Sequence, residues 1–204
     1  MAKTKSEMFT LIGANFPDNT DGQITPGKLR EVTTQPADSM LYAAAGVKEV
    51  EVLRAASTVA QAPTATDTPL QLTFGAAQLS ATDPVMLNSA GQVTFNTSGV
   101  YAVRVKLQQG RTGSTGTSIL LSRVLIDGVQ YGSPAAVKME NPNVIAVTES
   151  RVVLNVTAGK TFSVQIMRDS SGNNSGGLVP QVATVTAWGT APSALLVISR
   201  LEPV

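Results

Sequence analysis

The chain has 204 residues, of which 43% are hydrophobic and only 14% charged, with a formal net charge of +1. That length supports one core of ordinary domain size plus an appendage, and so small a net charge provides no field for recruiting nucleic acid or an acidic surface. Cysteine and histidine are both absent, which excludes the usual zinc sites, disulfide staples and any catalytic triad that needs an imidazole.

Residues 1–46 differ from the rest. Ser6 is a plausible helix cap, and Met8, Phe9, Leu11, Ile12 and Phe16 recur at helical spacing until Pro17 ends the run. Thr25-Pro26 has the form of a second helix start, with Leu29 and Val32 as its apolar face. After Gln35-Pro36 a further helical piece is expected from about Ala37 to Ala45, with Gly46 as its stop. Helices this short are not stable alone in water. Their apolar faces need either the domain's own core or, the preferred reading, another protein or symmetry copies. The opening MAKTKSEMF holds no apolar run fit for a signal peptide, and no stretch approaches the roughly 20 apolar residues of a membrane span. Synthesis in the cytosol and no membrane insertion are therefore expected.

Residues 47–69 read as a connector, with a first strand over Val47–Arg54 and an Ala/Thr/Pro-rich linker after it. From Leu70 onward the pattern is strand after strand. Leu70–Phe74 and Val85–Leu87 are short candidates. The stretch Gln92–Gln109 reads as strand, tight turn and longer strand. Tyr101, Val103, Val105 and Leu107 fall on one face of the longer strand, opposite Ala102, Arg104, Lys106 and Gln108. Ile119–Ile126 is apolar on both faces, as in a central or interfacial strand. Asp127-Gly128 signals a hairpin leading to Val129–Tyr131. Val144–Val147 is expected as a short strand, followed by Arg151–Val156 with Val152, Leu154 and Val156 inward. Phe162, Val164 and Ile166 line the return strand, and further strands are expected at Val182–Trp188 and Ser193–Leu201. Nine or ten short strands at this spacing predict an antiparallel sandwich, most simply a jelly roll.

No constellation of reaction chemistry appears. Asp169, Asn173 and Asn174 lack the acidic spacing of a calcium loop. The glycines around Arg111–Gly116 have neither a following helix nor the Lys-Ser/Thr of a phosphate cradle. Asp127 and Glu140 have no partner that would make an acid/base pair, and the carboxylates of the β region follow no glycosidase pattern. No catalytic, cofactor or metal residue is assigned. Arg104 and Lys106, with Arg123 as a candidate neighbour, form either a solvated face or a polar contact between subunits. Phe95, Tyr101, Phe162 and Trp188 read as core or interface packing before a sugar platform, Trp188 being the position to watch.

The run Gly91–Val103 resembles the signature of the C1q and tumour-necrosis-factor-like jelly rolls, in which a strand, an x-x-G-x-Y turn and a second strand recur. Val124–Gly128, Val153–Phe162 and Ser193–Ile198 resemble three further motifs of that family, in the same order. The resemblance covers about Leu70–Leu201 and departs at Lys160, where the family often has Asp. It implies a non-enzymatic, tightly threefold homotrimer, with Tyr101, Ile119 and Leu121 as the candidate trimer residues. Phe16–Thr20, Ile24–Arg30 and Asp38–Met40 resemble the short leader of many tailed-phage fibre and virion-surface proteins, with Gln35-Pro36 interrupting it.

Taken together, these features give a mostly β chain: a C1q/TNF-like antiparallel jelly-roll sandwich behind a short α-helical N-terminal segment. The expected organisation is 1–46 as virion-attachment leader, 47–69 as connector and 70–204 as jelly roll. The leader resemblance implies a virion-surface protein made in the host cytoplasm, anchored through Met8, Phe9, Leu11, Ile12, Phe16, Leu29 and Val32. Its expected partners are its own copies, a capsid or tail protein and a host-surface receptor. A stand-alone carbohydrate-binding or adhesin module is the alternative, and it predicts exposed aromatics around a groove.

Overall fold

The computed structural model describes residues 47–79, 84–113, 116–141 and 144–203. The helices expected in the leader and the seven expected anchoring residues lie outside the described residues. In chain order the strands are β1 (Val47–Ser57), β2 (Leu70–Gln71), β3 (Ala77–Leu79), β4 (Val85–Leu87), β5 (Val93–Phe95), β6 (Gly99–Arg111) and β7 (Ser118–Ile126). They continue with β8 (Val129–Met139), β9 (Ala146–Val156), β10 (Thr161–Arg168), β11 (Gly176–Leu178), β12 (Gln181–Val182), β13 (Thr190–Ala191) and β14 (Ala194–Pro203).

The strands form two main antiparallel sheets. Sheet A runs β3-β1-β14-β6-β9, with β11 continuing on the end of β6. Sheet B runs β4-β5-β10-β7-β8, with β2 beside β10. The pairing is nested: β7 with β8, β6 with β9, β5 with β10 and β1 with β14. A long hairpin rolled so that successive pairs fall on alternate sheets is an antiparallel jelly roll. The fold expectation therefore holds, on strand order alone.

Alternation places the core. Tyr101, Val103, Val105 and Leu107 of β6 are buried, facing Phe162, Val164 and Ile166 of β10 across the sandwich. Tyr101 packs its ring on Phe95, centroids 4.9 Å apart and tilted by 50°, a favoured aromatic geometry. Its hydroxyl donates to the Thr97 carbonyl at 2.8 Å, which ties the β5–β6 turn to the core. Asp127 and Gly128, with φ of 49° and 77°, form the two-residue turn between β7 and β8 that the Asp-Gly pair predicts.

Several elements differ from expectation. β8 extends to Met139 instead of stopping at Tyr131. Gly132-Ser133-Pro134 bulges out opposite Arg123, since Ser122 pairs with Ala135 and Val124 with Tyr131. A proline and a bulge on an edge strand interrupt the sequence pattern and also blunt the edge. The two pieces expected at Val144–Val147 and Arg151–Val156 are one continuous strand, held in register along β6. Val182–Trp188 is not a strand: β12 ends at Val182 and Thr186–Trp188 is a 3-10 turn. β1 is a full member of sheet A, and the segment after it bridges Gln61 to Leu178 and Thr66 to Arg168.

That crossing segment is fastened by Arg168, the last residue of β10, which is buried at one end of the sandwich. Its guanidinium donates to the carbonyls of Gly176 and Pro63, both at 2.5 Å, to Asn174 Oδ1 at 2.6 Å and to Thr112 Oγ1 at 3.0 Å. All four acceptors are neutral. Burial pushes the Arg168 pKa down from its ordinary value.

Candidate functional site

Two surfaces of the sandwich have the makings of a contact site. The first is the outer face of sheet A. Alternation turns Ala102, Val197 and Ser199 outward from β6 and β14, and all three are nonetheless buried. Longer neighbours cover them: Glu49, Glu51, Arg54, Arg104 and Arg151 rim a shallow cleft of about 260 Å³ whose floor they form.

The rim is ordered by ion pairs. Arg151 meets Glu49 at 2.9 Å, Arg104 meets Glu149 at 3.4 Å, and Arg54 binds both carboxylate oxygens of Glu51 at 2.7 Å. The hydrogen bond from Arg54 is the main cause that holds the Glu51 carboxyl below its ordinary range. These pairs are solvent-facing, so each contributes little to folding. A small-residue centre inside a charged rim is the anatomy of an interface patch.

The second surface is the side of the sandwich where the edge strands β8 and β9 stand apart. A cavity of about 210 Å³ opens there between the sheets, with Val105, Leu107, Val124, Val152, Val164 and Tyr131 among its walls. Tyr131 and Val129 of β8, paired with the inward-facing Val124 and Ile126, are exposed beside it. Val147 and Val153 of β9 are exposed on the other face, at the outer surface of sheet A. One protomer thus leaves apolar edge residues uncovered along the flank of its own core.

The three expected trimer residues do not come together. Tyr101 is fully buried in its own protomer's core, because the alternation that places Val103 inward places Tyr101 inward too. This corrects its assignment as an interface residue. Ile119 and Leu121 are half-buried on the outer face of sheet B, opposite to Leu120, which enters the core. Leu121 lines a shallow apolar pocket of about 180 Å³ with Pro69, Pro134 and Met167. Arg123 also lies on sheet B, where it donates to Gln165 Oε1 at 2.7 and 3.0 Å. It is therefore no neighbour of Arg104 and Lys106, which lie on sheet A.

The sequence reading missed the floor of the sheet A cleft. Ser199 and Val197 carry no signal except small size at outward positions of the last strand.

Among the described residues no group of three or more His, Cys, Asp or Glu side chains could hold a metal ion. The carboxylates instead engage local partners. Asp127 accepts from Lys160 Nζ at 2.5 Å and from the Thr161 amide at 2.8 Å. These bonds, the lysine first, hold its pKa below the ordinary aspartate value. Lys160, the departure from the family pattern, is thus the partner that pins the β7–β8 turn to β10. Glu140 pairs with Lys138, and Asp169 accepts from the amide and hydroxyl of Ser171. Asp169, Asn173 and Asn174 take part in separate local hydrogen bonds, two of which hold Ser175 and Arg168.

No protein-family model matches the chain, and no curated protein sequence matches it. Solved structures do. The chain is similar to an Eiger TNF of S. frugiperda, at 12% identity and a TM-score of 0.46, over 76% of this chain and 94% of that one. It is similar to the globular domain of zebrafish complement 1qA protein, at 13% identity and a TM-score of 0.40, over 74% and 98% of the two chains. It is also similar to murine APRIL, at 13% identity and a TM-score of 0.45, over 76% and 100%.

Proposed function

We propose that this chain is a non-enzymatic structural protein of a tailed-phage particle. Residues 1–46 anchor it, and the jelly roll is displayed as a homotrimeric fibre head, spike or capsid decoration. The observation that supports the trimer is a pair of different surfaces on one protomer: a small-residue patch with a charged rim on the outer face of sheet A, and an apolar flank at the β8 edge, where Val129 and Tyr131 are uncovered. A surface of one kind meeting a surface of the other kind makes a heterologous contact, which forms a closed ring of three when each copy is rotated by a third of a turn from the last. The virion role is supported by the leader resemblance over Phe16–Met40. A receptor-binding role is a further expectation of the same reading.

A carbohydrate-binding module is less well supported. Of the exposed large side chains among the described residues only Tyr131 and Trp188 are aromatic, and they lie on different elements instead of around a groove.

The test is the molar mass of the full chain, and of a chain beginning at Val47, by light scattering. Three protomers in both place assembly in the jelly roll and leave the leader to act as anchor. A monomeric truncated chain removes the threefold jelly-roll reading. Particles assembled with the truncated chain should then lack it; incorporation at the wild-type level would sink the anchoring role.

A further inference from the structure

From Ser170 to Ser199 the sequence contains no charged residue. Within that stretch β12 and β13 form a small hairpin of their own, outside both main sheets. Its tip is preformed. The Ala183 amide donates to the Gly189 carbonyl at 3.1 Å, Trp188 to Val185 at 3.0 Å and Gly189 to Thr186 at 3.1 Å. Gly189 holds φ 66° and ψ −148°, a conformation open only to glycine. The hairpin presents Trp188 84% exposed, with Val182 at 66% and Val185 at 58%. A rigid, uncharged, aromatic tip in water is what a desolvating partner stabilises.

A second exposed apolar patch, Val144, Ile145 and Val147, sits where β9 begins. Gln108 of β6 fixes the level of both. On one side it pairs with Val147. On the other its amide donates to the Ser193 carbonyl, at 2.8 Å, and its side chain to the Val179 carbonyl, at 2.7 Å. Val179 and Ser193 are the two feet of the hairpin. The tip and the β9 patch therefore spring from one level of sheet A, on opposite sides of β6. This is also the end away from where the chain enters and leaves the sandwich, since the Ser193 amide donates to Ser57, the last residue of β1.

We infer that the Trp188 hairpin of one copy docks on the Val144–Val147 patch of the next copy in the trimer. The inference rests on the homotrimer reading above. The proposed ring has its axis along the strands; rotation about such an axis preserves height, so two patches at one level can meet between neighbours. Val147 shares the outward face of β9 with Glu149, Arg151 and Val153, so the contact is continuous with the charged-rim patch on sheet A. The stretch that carries the tip has no charged residue, so docking it on an apolar patch desolvates no charge of its own.

Trp188 is the chain's single tryptophan, so its fluorescence reports this contact alone. The experiment records emission and acrylamide quenching of the full chain alongside its mass by light scattering. It is repeated for Ile145→Asp and Val147→Asp, both exposed positions that the fold tolerates. The expected result is a trimer whose emission lies to the blue of the urea-unfolded chain and resists quenching, with both effects lost in the two variants. A trimer whose emission matches the unfolded chain overturns the docking and leaves the trimer intact. A blue-shifted trimer indifferent to both variants overturns the Val144–Val147 partner. An exposed Trp188 that shifts only on adding phosphatidylcholine vesicles or dextran gives the tip to a lipid or glycan partner and also overturns it. A monomer at every concentration removes the trimer reading itself.

Discussion

Replacing Arg168 by methionine tests whether one buried cation fastens an end of the sandwich. Methionine keeps the length and packing of the side chain but donates nothing. The carbonyls of Gly176 and Pro63 lose their donor in a buried setting, at roughly 1–3 kcal/mol each. Asn174 and Thr112 are only partly buried at their bonds and can turn to water. Against this, the substitution removes the desolvation cost of the guanidinium, itself several kcal/mol in general. Two orphaned carbonyls together give roughly 2–6 kcal/mol, and the relieved desolvation places the expectation in the lower half of that range, about 3 kcal/mol. With a urea m-value of roughly 2 kcal/mol/M for a domain of this size, the midpoint should fall by about 1.5 M. Arg168→Lys should fall between, since an ammonium has three donors and no planar fork. Hydrogen exchange should locate the loss: the amides of Gln61 and Asp67, bonded to Leu178 and Arg168, should lose protection before those of β6. A midpoint shift in Arg168→Met below about 0.5 M, with exchange unchanged at those amides, would refute the fastening role.

Two further substitutions separate core from interface and charge from backbone. Tyr101→Phe removes one hydroxyl bond to Thr97 and should cost about 1 kcal/mol in urea unfolding while leaving the molar mass of the assembly unchanged; a change of mass would return Tyr101 to the interface. Asp127→Asn keeps a residue type that tolerates positive φ while removing the charge that Lys160 meets. Because the folded-state pKa of Asp127 lies below its ordinary value, its contribution is complete above the ordinary aspartate pKa and fades as the pH falls through the folded value. The stability gap between wild type and variant should therefore be larger at pH 7 than at pH 2, and a gap that grows in acid would contradict the pairing.

Local signals in the sequence determined much of this domain. The alternation of Tyr101–Leu107 and of Phe162–Ile166 set the inward faces, because a strand's period of two is a property of its own residues. Asp127-Gly128 set the β7–β8 hairpin, because the turn's positive φ values select those residues. Tertiary structure alone decided which strand lies beside which. Arg104 and Arg123 have similar local patterns, yet strand pairing sends them to different sheets. The mixed run Val182–Trp188 reads like strand, but beyond Val182 it finds no partner and instead closes a turn on Gly189. β8 was half hidden because a bulge on an edge strand erases the pattern that reveals an interior one. The cleft on sheet A exists only because the small side chains of Ala102, Val197 and Ser199, far apart in sequence, are brought side by side. That is a consequence of long-range pairing, which no window of the chain encodes.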